Sequence, residues 1–250
     1  MNVLIFDTET TSLDKPFCYN IGYVVADSES GEKLVKRDFV VEQIWHNLPL
    51  FQSAYYADKR PLYVSAMKAR KTIMDKFGYI CQQMRRDIKA FEVGSAYAYN
   101  SPFDEKVFDF CCDWFKCINP FDTIPVYDIR GYAHNYICNT DEYIQFCEDN
   151  NLFTEAGNYS TTAEALFRFM TKDNTFEEEH TALADSEIET DILLECLSRG
   201  ADLETAYPVR FSFERRVKKT LSIIRNKEEI ASFECYKITV SKDRTKITLK

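Results

Sequence analysis

Val3-Leu4-Ile5-Phe6-Asp7-Thr8-Glu9-Thr10-Thr11-Ser12-Leu13 is the stretch on which the reading of this chain turns. Four apolar residues in an unbroken run predict a strand buried on both faces, as in a sheet covered by helices. Residues two apart on a strand point to the same side, so Asp7 and Glu9 converge. They fall where the buried run ends, the usual ligand position in an open α/β sheet. Two carboxylates held side by side repel unless a cation or a proton separates them. Taken alone, the same Asp-x-Glu reads at least as well as a polar loop.

Working outward, Tyr19–Ala26 and Lys33–Val41 read as two further strands joined through Ser28-Glu29-Ser30-Gly31, with the second of them antiparallel. Helical character is expected over Leu48–Tyr63 up to Pro61. The spacing of Ile73, Phe77, Ile80, Cys81, Met84 and Ile88 predicts a helix over 71–91. Ala96–Tyr99 is a short apolar run that fits a buried strand. Ser101-Pro102 then opens a helix, with Ser as N-cap and Pro at the first helical position. Val126–Ile137, Asp141–Asn150, Thr161–Met170 and Thr181–Arg199 are further predicted helices. Strands first, then strands interleaved with helices, indicate an α/β fold: a mixed sheet flanked by helices on both faces.

Two later patterns carry chemistry. In Tyr99-Asn100-Ser101-Pro102-Phe103-Asp104, Asp104 follows Ser101 by three, which is also a capping-box pattern. In His180-Thr181-Ala182-Leu183-Ala184-Asp185, Asp185 projects into the apolar stripe with Ile188, Ile192 and Cys196. A carboxylate there is costly to bury without a compensating charge. Glu189 projects nearby. His180 lies five residues earlier, roughly 140° round a regular helix, so it serves the same site only from the loop before the helix.

Each pattern alone has an ordinary structural explanation; in this order and at these separations, they resemble the three motifs of the DEDDh family of 3′-5′ exonucleases. The resemblance covers about residues 1–200, and Ser12 stands where many relatives carry Gly. It implies an RNase H-like fold and metal-dependent removal of nucleotides from a 3′ end. Hydrolysing a phosphodiester needs an activated water and a stabilised leaving oxygen, which two divalent ions about 4 Å apart supply. Mg²⁺ suits four carboxylates, with Mn²⁺ able to substitute. By resemblance Asp7 bridges both ions, Glu9 and Asp185 join the first, and Asp104 acts through water on the second. His180, with an ordinary pKa near ~6.5, takes the proton from the attacking water. Thr10, Thr11, Leu13, Asn100 and Phe103 are then the residues expected at the terminal nucleotide, Leu13 against the base and Phe103 stacked beside it. Single-stranded DNA is taken ahead of RNA.

Composition sets the limits. The chain is 45% hydrophobic and 14% aromatic, enough for a sizeable core and incompatible with disorder. No apolar run approaches the ~20 residues of a membrane span, and no basic leader or small-residue cleavage site marks a signal peptide. Nine cysteines, an odd number without a Cys-x-x-Cys pair, read as reduced thiols in a cytoplasm. Cys112, Cys117, His134 and Cys138 are candidates for zinc, but their spacing fits no standard module and core packing is preferred.

Residues 201–250 carry twelve Lys and Arg against seven Asp and Glu, net +5, which leaves −14 of the total −9 to residues 1–200. An acidic body argues against charge-driven binding along duplex DNA, but not against an enzyme that grips a chain end through cations. The chain therefore divides into a nuclease domain, 1–204, and a basic extension, 205–250, expected as a helix over Phe213–Ile230 followed by a hairpin over 235–249. Arg210, Arg215, Arg216, Lys218, Lys219 and Arg225 could track phosphates or bind a protein partner. Tyr55, Tyr56, Lys59, Arg60 and Tyr63 could line the path of a single strand. A phosphatase with an aspartyl nucleophile is the weaker enzyme reading, since that chemistry needs a second Asp at the position of Glu9 and leaves His180 and Asp185 unexplained. The alternative from another class is a catalytically silent nucleic-acid or protein-binding module on the same fold.

Overall fold

β1 (Asn2–Thr10), β2 (Cys18–Asp27), β3 (Lys33–Val41), β4 (Ile73–Asp75), β5 (Ser95–Ala98) and β6 (Val126–Asp128) form one sheet in the order β4-β3-β2-β1-β5-β6. This is a computed structural model that describes residues 1–209 throughout, and beyond them the backbone of strands 219–225, 228–235, 238–240 and 247–249. β1 to β3 form an antiparallel meander, while β4, β5 and β6 join by parallel pairing. The sheet is mixed, as expected.

Three short helices, α1 (Glu42–Trp45), α2 (Leu48–Phe51) and α3 (Arg60–Lys68), follow the meander, and the alternation along β1 sets the layers. Leu4 and Phe6 pack with Phe77, Ile80 and Met84 of α4 (Phe77–Ala90) and with Val107 and Phe108 of α5 (Ser101–Phe115). Val3 and Ile5 pack on the other face. Their partners there include residues of α6 (Ile129–Ala133), α7 (Asp141–Asp149), α8 (Ala163–Thr171) and α9 (Ala182–Ser198). All four β1 residues are fully buried, which explains the unbroken apolar run.

Four local expectations are corrected. The helix expected over Leu48–Tyr63 is broken: short helical pieces cover Leu48–Phe51 and Ala57–Lys59, and a separate helix runs from Arg60 to Lys68 with Pro61 in its first turn, where a missing N–H costs nothing. The helix expected from Lys71 starts only at Phe77; Ile73–Asp75 is an edge strand paired with Phe39–Val41, and Ile73 is exposed. Val126–Asp128 is likewise a strand, after which Asp128 caps α6 by accepting the Arg130 N–H at 2.9 Å. The N-cap of α5 is Asn100 in a left-handed conformation (φ 66°), and Ser101 is already helical.

In the extension, Lys219–Arg225 and Glu228–Cys235 pair as antiparallel strands where a helix was expected, and Ile238–Val240 pairs with Ile247–Leu249. Arg210, Arg215, Arg216 and Lys218 lie outside the described residues. Before them, Tyr207 packs against Tyr132 and Tyr136 of the α6 region at ring distances of 4.7 and 5.2 Å. Gly131 permits this contact, since a Cβ there would lie 2.1 Å from the Tyr207 carbonyl oxygen.

Candidate active site

β1 does not end at Phe6 but continues through Thr10, so Asp7 and Glu9 stand on the strand itself. They extend the odd-numbered series Val3 and Ile5, the face on which α9 packs. Asp7 pairs across the sheet with Gly22 of β2. A Cβ on Gly22 would come within 2.1 Å of the Ala182 and Leu183 backbone. The absence of a side chain therefore lets the first turn of α9 lie directly on β2. Ser186 fixes the contact by donating to the Gly22 carbonyl at 3.0 Å, and Asn20 Oδ1 accepts the Ala182 N–H at 2.8 Å.

That approach brings Asp185 to Asp7 and Glu9, with one carboxylate oxygen from each within 4.8 Å of the others. Asp104 arrives from the other side. Thr8 follows the even series Leu4 and Phe6 toward α5, and its hydroxyl donates to Asp104 Oδ1 at 2.6 Å. Asp104 is buried and stands one step behind the three converging acids. His180 lies in the segment before α9, in a left-handed conformation (φ 51°). Its ring stacks on Tyr56 at 4.7 Å, and its Nδ1 is 3.6 Å from Glu178 Oε2.

The electrostatics follow from crowding. Burial first, then Asp104 and the other acids, hold the Asp7 carboxyl well above its ordinary range. Burial and Asp185 push Glu9 up to about 8, although Lys59 and a hydrogen bond from Tyr19 act the other way. Burial raises Asp104 to about 7 against the Thr8 hydrogen bond. Burial and Glu178 raise Asp185 to about 7. Asp7 Oδ2 and Asp185 Oδ1 are buried without a hydrogen-bond partner. Buried carboxylate oxygens are almost always satisfied, so these two orphaned atoms fit a cation between them. Oxygen-only donors of this kind suit Mg²⁺ or Mn²⁺.

Of the residues expected at the substrate, Leu13 is exposed and Thr10 half-buried, whereas Thr11 is buried with its hydroxyl toward the Lys15 carbonyl. Lys106 Nζ donates to the Leu13 carbonyl at 3.2 Å. Phe103 is half-buried against the α4–α5 core, and the Asn100 N–H is held by Asp128 Oδ1 at 2.8 Å. The aromatic and basic set divides. Tyr55 is exposed, Tyr56 stacks on His180, and Lys59 donates to the Glu179 carbonyl. Arg60 instead stacks on Trp45, and Tyr63 is buried and donates to Asn20.

The sequence reading missed Thr8, Asn20 and Glu178. An Asn inside the apolar run Tyr19–Ala26 was a signal for Asn20. Glu178 left none, because its oxygen meets His180 and Asp185 only through the path of the chain. Glu189 is a further carboxylate of the region, buried inside the fold and accepting the Tyr99 N–H at 3.2 Å.

The sequence matches no protein-family model and no curated protein. Solved structures do match. The nuclease domain of 3′hExo, a DEDDh family member, bound to rAMP, aligns with a TM-score of 0.54 at 14% identity, over 80% of this chain and 92% of that one. A 3′-exonuclease in 3′-end-specific recognition of the histone mRNA stem-loop aligns at 0.51 and 13% identity, over 80% and 82%. The fold is that of the DEDDh exonuclease domains. E. coli Exonuclease I with a dT13 oligonucleotide aligns at 0.50 and 16% identity, over 79% of this chain but 41% of its own length.

Proposed function

We propose that the chain is a metal-dependent 3′-5′ exonuclease acting on single-stranded nucleic acid, with DNA preferred to RNA. The observation that carries this reading is the convergence of Asp7, Glu9 and Asp185 with two orphaned buried carboxylate oxygens among them. The DEDDh fold supports the same reading. So do the nucleotide, RNA stem-loop and oligonucleotide that the similar structures hold.

Asp7, Glu9 and Asp185 would hold a divalent ion, and Asp7 and Asp104 would serve a second. When bound, such a pair supplies an activated water and stabilises the leaving 3′ oxygen. The residues of the chain do the rest. Thr8 orients Asp104. His180 has its pKa lowered below 6.5 by burial and by Lys59, which keeps the imidazole neutral at pH 7 and able to accept a proton. A hydrogen on Nδ1 directed at Glu178 leaves Nε2 for the water, and the Tyr56 stack fixes the ring plane. Leu13, four residues beyond Glu9, and Tyr55, whose ring meets Tyr56 at 4.8 Å, are both exposed and offer apolar surface to a terminal base.

The deciding experiment is digestion of 5′-labelled single-stranded DNA and RNA of equal sequence, with Mg²⁺, Mn²⁺ or chelator, alongside Asp7→Ala. A ladder shortening from the 3′ end, dependent on metal and absent in the variant, is the expected result. Intact strands under every metal would overturn the assignment and favour a silent binding module; faster cleavage of RNA would overturn the sugar preference alone.

A further inference from the structure

The cysteines considered for zinc are separated by the sheet. Cys112 packs in the α4–α5 core, whereas Cys138 packs in the core of the opposite face, and His134 shares its helical stretch. A different trio forms instead. Cys81 on α4, Cys112 on α5 and Cys117 just beyond α5 place their Sγ atoms all within 4.8 Å of one another. The turn that achieves this is specific: Lys116 adopts a left-handed conformation (φ 55°), and the Cys117 N–H returns to the Cys112 carbonyl at 3.1 Å. Gly78 leaves room beside it, since a Cβ there would already touch Cys117 Cβ at 3.4 Å. Cys81 and Cys112 are buried, whereas Cys117 is half-exposed and borders a cavity of about 420 Å³ that Lys76 and Arg85 also line.

We propose that Cys81, Cys112 and Cys117 bind one thiophilic metal ion, zinc by its chemistry, through three thiolates, with the fourth position open to this cavity. Sulfur selects zinc over magnesium, so this site and the carboxylates take different ions. A tetrahedral ion with Zn–S bonds of about 2.3 Å needs sulfurs about 3.8 Å apart, inside the 4.8 Å limit within which the trio lies. Each S–H gives its proton to solvent as its bond to the metal forms, and no oxidant is involved. Three thiolates on a divalent ion leave one negative charge, which Lys76 and Arg85 face.

The test is a Co²⁺ titration of the reduced, chelator-treated full chain, read by thiolate-to-cobalt charge transfer in the near ultraviolet. Carboxylate sites do not produce that band. Saturation at one equivalent and bleaching by Zn²⁺ are expected. Cys117→Ser, at a half-exposed position, should keep the parental circular dichroism yet weaken cobalt binding more than about 100-fold, beyond the loss of an outer-shell partner. Cys138→Ser, in the other core, should leave the band intact. No band in the reduced parent, or a band that survives Cys117→Ser, overturns the site.

Discussion

The carboxylate group on β1 and α9 and the thiol group on α4 and α5 both gather three metal-ligating side chains, yet their charge states run in opposite directions. At the first, burial and mutual repulsion push the acids up, to about 8 for Glu9 and about 7 for Asp185. At the second, neighbouring S–H groups pull Cys117 down to about 6 while Cys81 rises far above its ordinary value. The reason is chemical. Charged carboxylates have no proton to share and repel, whereas neutral thiols can donate to a single thiolate. A carboxylate cluster therefore costs stability until a cation enters, and a thiol cluster does not. The two sites should respond differently to metal, pH and mutation.

Asp7→Ala should separate the two sites most sharply. Hydrolysis should fall at least about 10³-fold, the scale on which removal of one preorganised electrostatic group acts, while cobalt–thiolate absorption stays at one equivalent. In chelator the variant should melt no earlier than the parent, because one repelling charge is gone. Earlier melting would show that the carboxylates do not strain the metal-free protein. His180→Ala should cost about 10²-fold in rate, as loss of a general base does, with divalent-ion affinity unchanged by calorimetry. A parental rate would remove His180 from proton transfer, and lost affinity would make it a ligand.

Gly22→Ala drives a methyl group into the α9 backbone and should destabilise the chain by about 1–3 kcal/mol. Its denaturation midpoint is the readout, with metal-dependent activity falling in parallel because Asp185 is displaced from Asp7. A parental midpoint would mean that α9 shifts freely.

The pH response is smaller and signed. Glu9, Asp104 and Asp185 have folded-state values above their ordinary 4.5 and 3.8. They keep protons in the native chain after the unfolded chain has lost them, so stability falls as pH rises from about 4 to about 8. The melting temperature in chelator should decline across that window, and Mg²⁺ at the upper end should restore it. A flat profile would contradict the raised values. Thr8→Val, which removes the 2.6 Å bond to Asp104, should cost about 1 kcal/mol, or about fivefold in rate; no change would make Thr8 incidental to the site.

Much of the sheet was legible because a strand has a short period. Val3–Phe6, Tyr19–Ala26 and Lys33–Val41 each appear as strands within one or two residues at most boundaries, apart from β1, which runs on to Thr10. The edge strands Ile73–Asp75 and Val126–Asp128 were not legible. Three residues carry no period, and both precede helical patterns that absorb them. Asp7, Glu9 and Asp185 could be picked out as a set because their order and separations resemble the DEDDh motifs. His180 could be placed before the helix because five residues do not return to the same helical face. Lys59 and Tyr56 join that neighbourhood only through contacts between distant segments, and Glu178, two residues before His180, only through the path of the chain.

The alternation of side chains along β1 is a property of extended backbone. The sequence therefore decides on its own that Asp7 and Glu9 share one face with Val3 and Ile5 while Thr8 turns to the other. It cannot decide how near another element comes to that face. Gly22 has no side chain, so α9 settles against β2 and carries Asp185 to Asp7; a residue with a Cβ would hold it away. In the same way, the spacing of cysteines along the chain suggested Cys112 with Cys117, His134 and Cys138. The sheet lies between those pairs, and the packing of α4 on α5 supplies Cys81 instead. Local geometry is written in neighbouring residues, but which distant surfaces meet depends on the volume each side chain occupies when the layers close.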